Sequence, residues 1–397
     1  MQAALASQLG VQGYGIFSYI LASLTVLSGL IPLGWMQGIQ RYVTEYSEAS
    51  RGSMLCGVVK RSQQLTLISS IVFSIVVWVS APWLSPKYQL VAYGVALLCP
   101  LYIWTRLQQQ ILLAFKEIVG GIFPVEVLVP GLVWLLTLSY RLQLSEAIGA
   151  YLAASMLVAL CQGMLLARRI PKGTSPEFAT KAWSAESFKL IFGQMSTLML
   201  QRGDVLLLGP LAGMESVGAY SLAKGLMGAI AFGNSALTAS LGPTIGSALA
   251  SDKRSEAALL LRKGATWSTL WALPWAVAFL TFPAPILGYF GPSYAGAAAL
   301  LQILTVGMFV NSAVGPVGQV LLVGGHSEFW RHSANVVTAV ALLSYPILGI
   351  LAGVQGVAVV TAVCNAGLNL YRWKYLSDLT GGEVRVARTG SSKGISS

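Results

Sequence analysis

Apolar stretches of about twenty residues, bounded by short polar breaks, recur eleven times along the chain and leave it one medium to fold in, a lipid bilayer. Backbone amides cannot go unpaired in hydrocarbon. These stretches, rich in Leu, Ala, Val and Gly, are therefore expected as membrane-spanning helices rather than sheet. The predicted spans are 16–40, 64–85, 89–115, 118–139, 146–167, 189–211, 217–247, 266–290, 298–323, 332–352 and 355–376. The breaks carry turn chemistry, as in Leu84-Ser85-Pro86-Lys87, Gly209-Pro210 and Gly291-Pro292-Ser293. Only 10% of the 397 residues are charged, against roughly 25% in a typical soluble domain. The fold class that follows is all-α and polytopic, with a mean hydropathy of +0.69.

The net charge of +11 would suggest nucleic acid if it formed one basic face, but the charges sit in short pieces between apolar segments, so no nucleic-acid partner is expected. Their placement reports topology instead, because Lys and Arg accumulate in cytoplasmic loops. Alternate connections carry twenty basic residues on one side, from Arg41, Arg51, Lys60 and Arg61 through to Arg385, Arg388 and Lys393. The other side has two, Lys87 and Arg141. Three more, Arg106, Arg202 and Lys224, fall inside spans. A miscounted span would mix the two sets. The split thus supports eleven spans, a cytoplasmic C-terminus, and outside loops at Lys87, Arg141, Met214 and Tyr294. Cys56, Cys99, Cys161, Cys364, His326 and His332 lack the spacing of metal ligands or a disulfide framework and read as structural; no metal and no cofactor are expected.

The stretch from Leu9 to Ser18 (LGVQGYGIFS) reappears from Ala212 to Ser221 (AGMESVGAYS), shifted by 203 residues. At nearly the same shift Arg51 matches Lys253, Lys60-Arg61 matches Arg262-Lys263, and Pro86-Lys87-Tyr88 matches Pro292-Ser293-Tyr294. Two homologous halves are expected: a bundle over 1–167, a cytoplasmic linker over 168–188, a second bundle over 189–376 and a cytoplasmic tail over 377–397. Six spans separate the matched loops, an even number. The halves are then parallel repeats about an axis along the membrane normal, with a central cavity between the two bundles. The same shift gives the span 189–211 a counterpart that would begin before Met1. Either the start codon lies upstream or this form lacks most of its first helix, and the symmetry of the first half favours the former.

The loop Leu9-Gly10-Val11-Gln12-Gly13-Tyr14-Gly15, the segment Asp204-Val205-Leu206-Leu207-Leu208-Gly209 with Val217-Gly218-Ala219-Tyr220-Ser221-Leu222-Ala223, and the late Gly291-Pro292-Ser293-Tyr294-Ala295-Gly296-Ala297 occur in an order and spacing that resemble one family. It is the bacterial polysaccharide transporters of the multidrug/oligosaccharidyl-lipid/polysaccharide exporter (MOP) superfamily. The resemblance covers nearly the whole chain. It implies a multi-pass protein of the bacterial cytoplasmic membrane, not an enzyme, that flips undecaprenyl-diphosphate-linked oligosaccharides outward by alternating access. Its partners would be the lipid-linked oligosaccharide, membrane lipids and the polysaccharide polymerase machinery.

Ionisable groups at mid-span cost about 2.5–3.5 kcal/mol on insertion scales, so they should pair, face a cavity or snorkel. Tyr102, Arg106, Gln109 and Gln110 share one helical face; the cavity reading competes with an arginine snorkelling to the cytoplasmic surface. Gln194, Thr197, Gln201 and Asp204 share another, with Arg202 turned away and Asp204 open to pairing with Arg202, Lys224 or another helix. Lys224 heads a small, polar lane through Gly228, Ala231, Ser235 and Thr238. Glu126, between Pro124 and Pro130, is the acid without an obvious partner, either a protonatable coupling site or a helix-end acid. Thr361, Asn365 and Asn369 form a stripe expected as interhelical glue.

Substrate contact is therefore expected from Arg106, Lys224, Arg202, Gln201 and Gln109, and ion coupling from Glu126 or Asp204. The net charge within the spans, three bases against two acids, suits an anionic cargo. A cation-coupled multidrug antiporter of the same superfamily is the first rival and would want acids in the first bundle. A membrane glycosyltransferase or polymerase is the second. It would need an exposed catalytic acid or base beside the membrane, where the outside loops offer only Glu146 and Glu215, so no catalytic residue is assigned.

Overall fold

The computed structural model describes residues 1–171, 173–251 and 253–379. Lys172, and Arg385, Arg388 and Lys393 with the predicted tail from 380 onward, lie outside the described residues. All regular structure among the described residues is helical, as the amide argument requires. The chain forms two compact units that meet between Ser221 and Leu222.

In the first unit, α1 (Gln2–Leu30) is broken at Gly10 and ends earlier than the predicted span 16–40. Pro32 has no N–H to donate, and Leu33 and Gly34 take positive φ (51° and 81°), which stops the helix. The helix α2 (Trp35–Glu48) is consequently a separate, two-faced element. It buries Trp35, Ile39, Tyr42, Val43 and Tyr46 and exposes Gln37, Arg41 and Glu45. Next come α3 (Gly52–Ser80), whose Ile68, Val72, Ile75 and Val79 are exposed as a lipid-facing surface would be, and α4 (Pro86–Ala114), which packs on α1, α2 and α3. The predicted span 118–139 is one passage in three pieces: α5 (Ile118–Phe123), a π-helical turn at Pro124–Leu128, and α6 (Val129–Ser139). A capping box between Gln143 and Glu146, with the Gln143 amide donating to Glu146 Oε2 at 2.8 Å, starts α7 (Leu144–Arg169).

The predicted linker contains α8 (Thr180–Lys189), which is docked rather than free. Trp183 is 1% exposed, donates from Nε1 to Tyr46 Oη at 2.9 Å, and meets Trp35 edge-on at 6.4 Å. Upstream of it, Glu177 N donates to Ser53 O at 3.1 Å, tying the linker to the start of α3. The long α9 (Ile191–Ala250) follows, broken at Gly213, and runs from the first unit into the second.

The second unit continues with α10 (Arg254–Thr281), α11 (Pro283–Gly288), a 3-10 turn at Pro292–Ala297, α12 (Ala298–Val314), α13 (Val317–Val323) and α14 (Ser327–Leu379). The predicted span 298–323 is interrupted at Gly315, where φ is 81° and Pro316 follows. The two arms of α14 fold back at Ala352–Gly353. Arg372 on the second arm fastens them at one end, donating from Nε to Ser333 Oγ (3.0 Å) and from Nη2 to Trp330 O (2.8 Å). Tyr345 and Thr361, 3.2 Å apart, join the arms further along. Asn365 and Asn369 donate instead to carbonyls of their own helix, so only Thr361 of that stripe makes a bond between the arms.

Eight helices among the described residues are long and apolar enough to cross a membrane. Two of these, of 56 and 53 residues, are of double length and contain the breaks at Gly213 and at Ala352–Gly353. They hold the predicted pairs 189–211 with 217–247 and 332–352 with 355–376. The 28-residue α10, its apolar run diluted by Trp267, Trp271 and Trp275, is long enough to make the eleventh crossing.

The internal repeat is visible in the backbone. Gly10 and Gly213, equivalent under the 203-residue shift, break their helices with φ/ψ of 67°/176° and 81°/172°, a region open essentially to glycine alone. Arg51 and Lys253 precede α3 and α10 with φ/ψ of −88°/72° and −83°/64°. Five residues beyond each glycine break the two repeats touch each other, within the first unit. A β-carbon on Gly15 would fall on the Met214 carbonyl and 2.9 Å from Gly218 N; one on Gly218 would fall on the Val11 carbonyl and 3.1 Å from Gly15 N. Val11 and Met214 are themselves equivalent, so the crossing is reciprocal.

Candidate functional site

The polar face predicted on α4 is where the first unit brings opposite charges together. Arg106 lies eight residues before the end of α4, about 12 Å at 1.5 Å per residue, too far for its guanidinium to be a simple helix-end charge. It is paired within the first unit. Its Nη1 forms an ion pair with Glu126 Oε1 and donates to Gln109 Oε1 at 3.1 Å, and its guanidinium carbon stands 5.3 Å from the centroid of the Tyr102 ring. Tyr102 is fixed in turn by Thr25 of α1, with 3.1 Å between the hydroxyl oxygens. The expectation that Glu126 lacks a partner is corrected here. The reason is local: Pro130 has no N–H for the Glu126 carbonyl, and Val129 N bonds back to Pro124 O, so the chain makes a π-turn that aims the Glu126 carboxylate at α4.

The three glutamines that follow Arg106 serve three different elements. Gln108 is buried, its amide bridging Trp104 Nε1 (3.0 Å) and Ala159 O of α7 (3.1 Å). Gln109, also buried, supports Arg106, while Gln110 accepts from Gln40 Nε2 of α2 at 2.5 Å. Tyr151 of α7 closes the cluster from the other side, its ring edge-on to Phe17 at 6.1 Å. The Arg106 side chain is 26% exposed and that of Glu126 50%, so the pair can be approached. Such a site can exchange one anion for another on a guanidinium whose fork geometry matches carboxylate and phosphate oxygens alike.

The remaining candidates stand elsewhere. Gln201, exposed, and Arg202, half-buried, are on α9 before its break, and neither takes part in the polar contacts of Arg106 or Glu126. Asp204 is fully buried; its Oδ2 accepts from Tyr220 Oη at 2.6 Å and its Oδ1 from Val205 N at 2.8 Å. That bond ties the two sides of the Gly213 break together. Lys224 lies just past the boundary, in the second unit. Sequence reasoning missed Thr25, Gln40 and Tyr151, whose only signal was being polar in or beside apolar segments.

The family model described as polysaccharide biosynthesis protein matches residues 3–249, and a second, MatE, matches 190–350. No curated protein matches by sequence. Among solved structures, an inward-facing multidrug resistance MATE family transporter of the MOP superfamily superposes with a TM-score of 0.76 at 12% identity, over 96% of this chain and 93% of that one. The lipid II flippase MurJ, in an inward closed conformation, gives 0.71 at 14% identity over 96% and 86%. A MOP superfamily transporter from Pyrococcus furiosus gives 0.57 at 14% identity over 96% and 88%. The fold is thus the one shared by MOP superfamily transporters, and the family model, which spans well over half of the chain, shows that this protein belongs to the polysaccharide biosynthesis protein family.

Proposed function

We propose that the chain carries a lipid-linked oligosaccharide, its glycan joined to a prenyl carrier by a diphosphate, across the bacterial cytoplasmic membrane by alternating access, with the C-terminus in the cytoplasm. The observation that carries this reading is the polysaccharide biosynthesis family match over 3–249, the stretch that contains every candidate residue. Arg106, with Gln109 beside it, is the diphosphate contact; Lys224, Arg202 and Gln201 add cationic and polar lining.

Complementation tests the reading. In a strain lacking its own transporter, Arg106→Ala and Lys224→Ala at native expression are each expected to lower surface polysaccharide at least about tenfold, the loss expected when a charge-assisted phosphate contact of 1.5–3 kcal/mol is removed. Arg106→Lys keeps the charge but not the bidentate fork, and partial export is expected. Wild-type polysaccharide from both Ala variants would refute the cationic lining. The MatE match over 190–350 favours a second reading, a cation-coupled multidrug antiporter. Efflux of a cationic dye that survives Arg106→Ala, without restored polysaccharide in the wild type, would select it.

A further inference from the structure

Arg372 is 6% exposed, and among the described residues no carboxylate stands within ion-pair distance of it. A buried cation ordinarily has an opposite charge beside it. Two of its three nitrogens are in use, Nε on Ser333 Oγ and Nη2 on Trp330 O. Among the described residues Nη1 has no hydrogen-bond partner, and neither has the indole Nε1 of Trp330. We propose that these two free donors hold a phosphate group, in a notch that Gly318 leaves open between α13 and the two arms of α14. The notch lies in the second unit and does not depend on the part given to Arg106.

Gly318 of α13, Trp330 of the first arm and Arg372 of the second meet at one place. A β-carbon on Gly318 would lie 3.3 Å from Arg372 Nη1 and 3.6 Å from Trp330 Nε1, with no other atom from outside its own turn within 4 Å. The two nitrogens are thus no more than about 7 Å apart, a gap that one tetrahedral oxyanion closes with a hydrogen bond of about 2.8 Å at each end. Both groups are donors only, so they are joined through an acceptor and not to each other. Water is an acceptor too, but it leaves the buried charge unbalanced. A phosphate oxygen balances it and makes the charge-assisted bond. Gly318 is part-exposed, so the notch opens to the surface. Its depth points to the source of the phosphate. Arg372 lies seven residues before the end of α14, about 10 Å along the helix. Phe329, Trp330, Tyr371, Trp373 and Tyr375 cluster at this end, with Phe329 stacked on Tyr375 at 3.8 Å, and Arg331 and Lys374 are exposed among them. Aromatic and basic residues mixed in this way are the composition of a membrane–water interface, the level of lipid headgroups. A phospholipid headgroup is therefore the expected source, and inorganic phosphate from water offers the same chemistry. Bound there, the phosphate pegs α13 to both arms of α14.

Native mass spectrometry of the purified full chain in detergent, titrated with phosphatidylglycerol, tests the notch, because it resolves bound lipids one by one. Gly318→Ala puts a methyl group into the opening and leaves both bonds of Arg372 in place. Trp330→Phe removes the indole donor but keeps a ring beside the guanidinium, whose carbon stands 5.4 Å from the ring centroid. Neither variant changes the charge of the protein, so general attraction to anionic lipid stays as it was. Each is expected to weaken the first lipid bound at least about tenfold. In parallel, the thermal midpoints of wild type and Gly318→Ala are read in potassium phosphate against potassium chloride of equal ionic strength. A first lipid weakened in both variants, with no phosphate shift, means that a lipid headgroup fills the notch. A midpoint raised by phosphate in wild type and not in Gly318→Ala, with lipid binding alike in all three proteins, means that the free ion does, and both responses together mean that either source reaches it. Lipid affinities of both variants within about twofold of wild type, with no phosphate shift that depends on Gly318, would overturn the site and leave Nη1 to water. If one variant fails to fold, the lipid titration of the other decides alone, since each removes a different part of the notch.

Discussion

The reciprocal crossing of Gly15 and Gly218 makes a quantitative demand on a pair of substitutions. A β-carbon on Gly15 would sit more than an ångström inside the 3.0 Å that real β-carbons keep, against the Met214 carbonyl, and one on Gly218 would do the same against Val11. Backbone cannot move aside as a flexible side chain can, so the helices must part by about an ångström, and overpacking of this kind costs about 1–3 kcal/mol or more. Either alanine alone forces that separation, and once the helices have parted the second alanine finds room already made. The double variant should therefore cost about as much as one single, leaving a coupling of about 1–3 kcal/mol where additive sites agree within about 0.5. Gly10→Ala and Gly213→Ala form the internal control. Neither β-carbon would meet anything within 4 Å, so each bears only its own backbone strain, about 1–3 kcal/mol, and the two should add. Thermal midpoints of the purified variants in one detergent, read by tryptophan fluorescence and by retention of monodisperse protein, measure both cycles, with each single expected to fall by roughly 3–8 °C. Additive losses for Gly15→Ala and Gly218→Ala would refute the shared crossing.

Three further outcomes are expected. Trp183→Ala empties the aromatic pocket on α2 and should destabilise the first unit by about 3–5 kcal/mol, with trypsin then cutting at Lys181 and Lys189 faster than in wild type, which limited proteolysis in detergent would show. Tyr220→Phe removes a hydrogen bond to the buried Asp204 carboxylate and should cost about 1.5–3 kcal/mol in the same thermal assay; a midpoint equal to wild type would mean that the bond does not tie the Gly213 break. Reporters fused at Lys253 and Ser397 should be active on the cytoplasmic side and one at Lys87 in the periplasm, and a Ser397 fusion active only in the periplasm would overturn the orientation.

Span positions and the repeat were legible in the chain because both are local: hydropathy marks where a helix crosses, and Gly10 and Gly213 mark equivalent breaks. The end of α1 was misplaced although Ile31-Pro32-Leu33-Gly34 carries its own stop signal, because apolar residues continue past it in α2. The Arg106–Glu126 pair was not legible. Each residue was singled out, but their meeting depends on the rotation of α4 against α5 and α6, and one extra residue in the π-turn at Pro124–Leu128 turns a side chain by about 100°. The docking of α8 had a signal that went unused. Tyr42, Tyr46 and Trp183 are large aromatic residues in segments outside every predicted span, and such side chains need somewhere to be buried.

During synthesis, the end of the first bundle remains unfinished after its last helix has entered the membrane. When Arg169 leaves the ribosome, Trp35, Tyr42 and Tyr46 still lack the part of their cover that Trp183 supplies, and they gain it only some twenty residues later, when α8 docks. A nascent chain paused in this window exposes a sticky aromatic surface, the kind that holding chaperones cover. For the same reason, a gene divided to express two fragments should be cut after Lys189 and not within the polar stretch that looks like the natural seam, so that the first fragment carries its own cover.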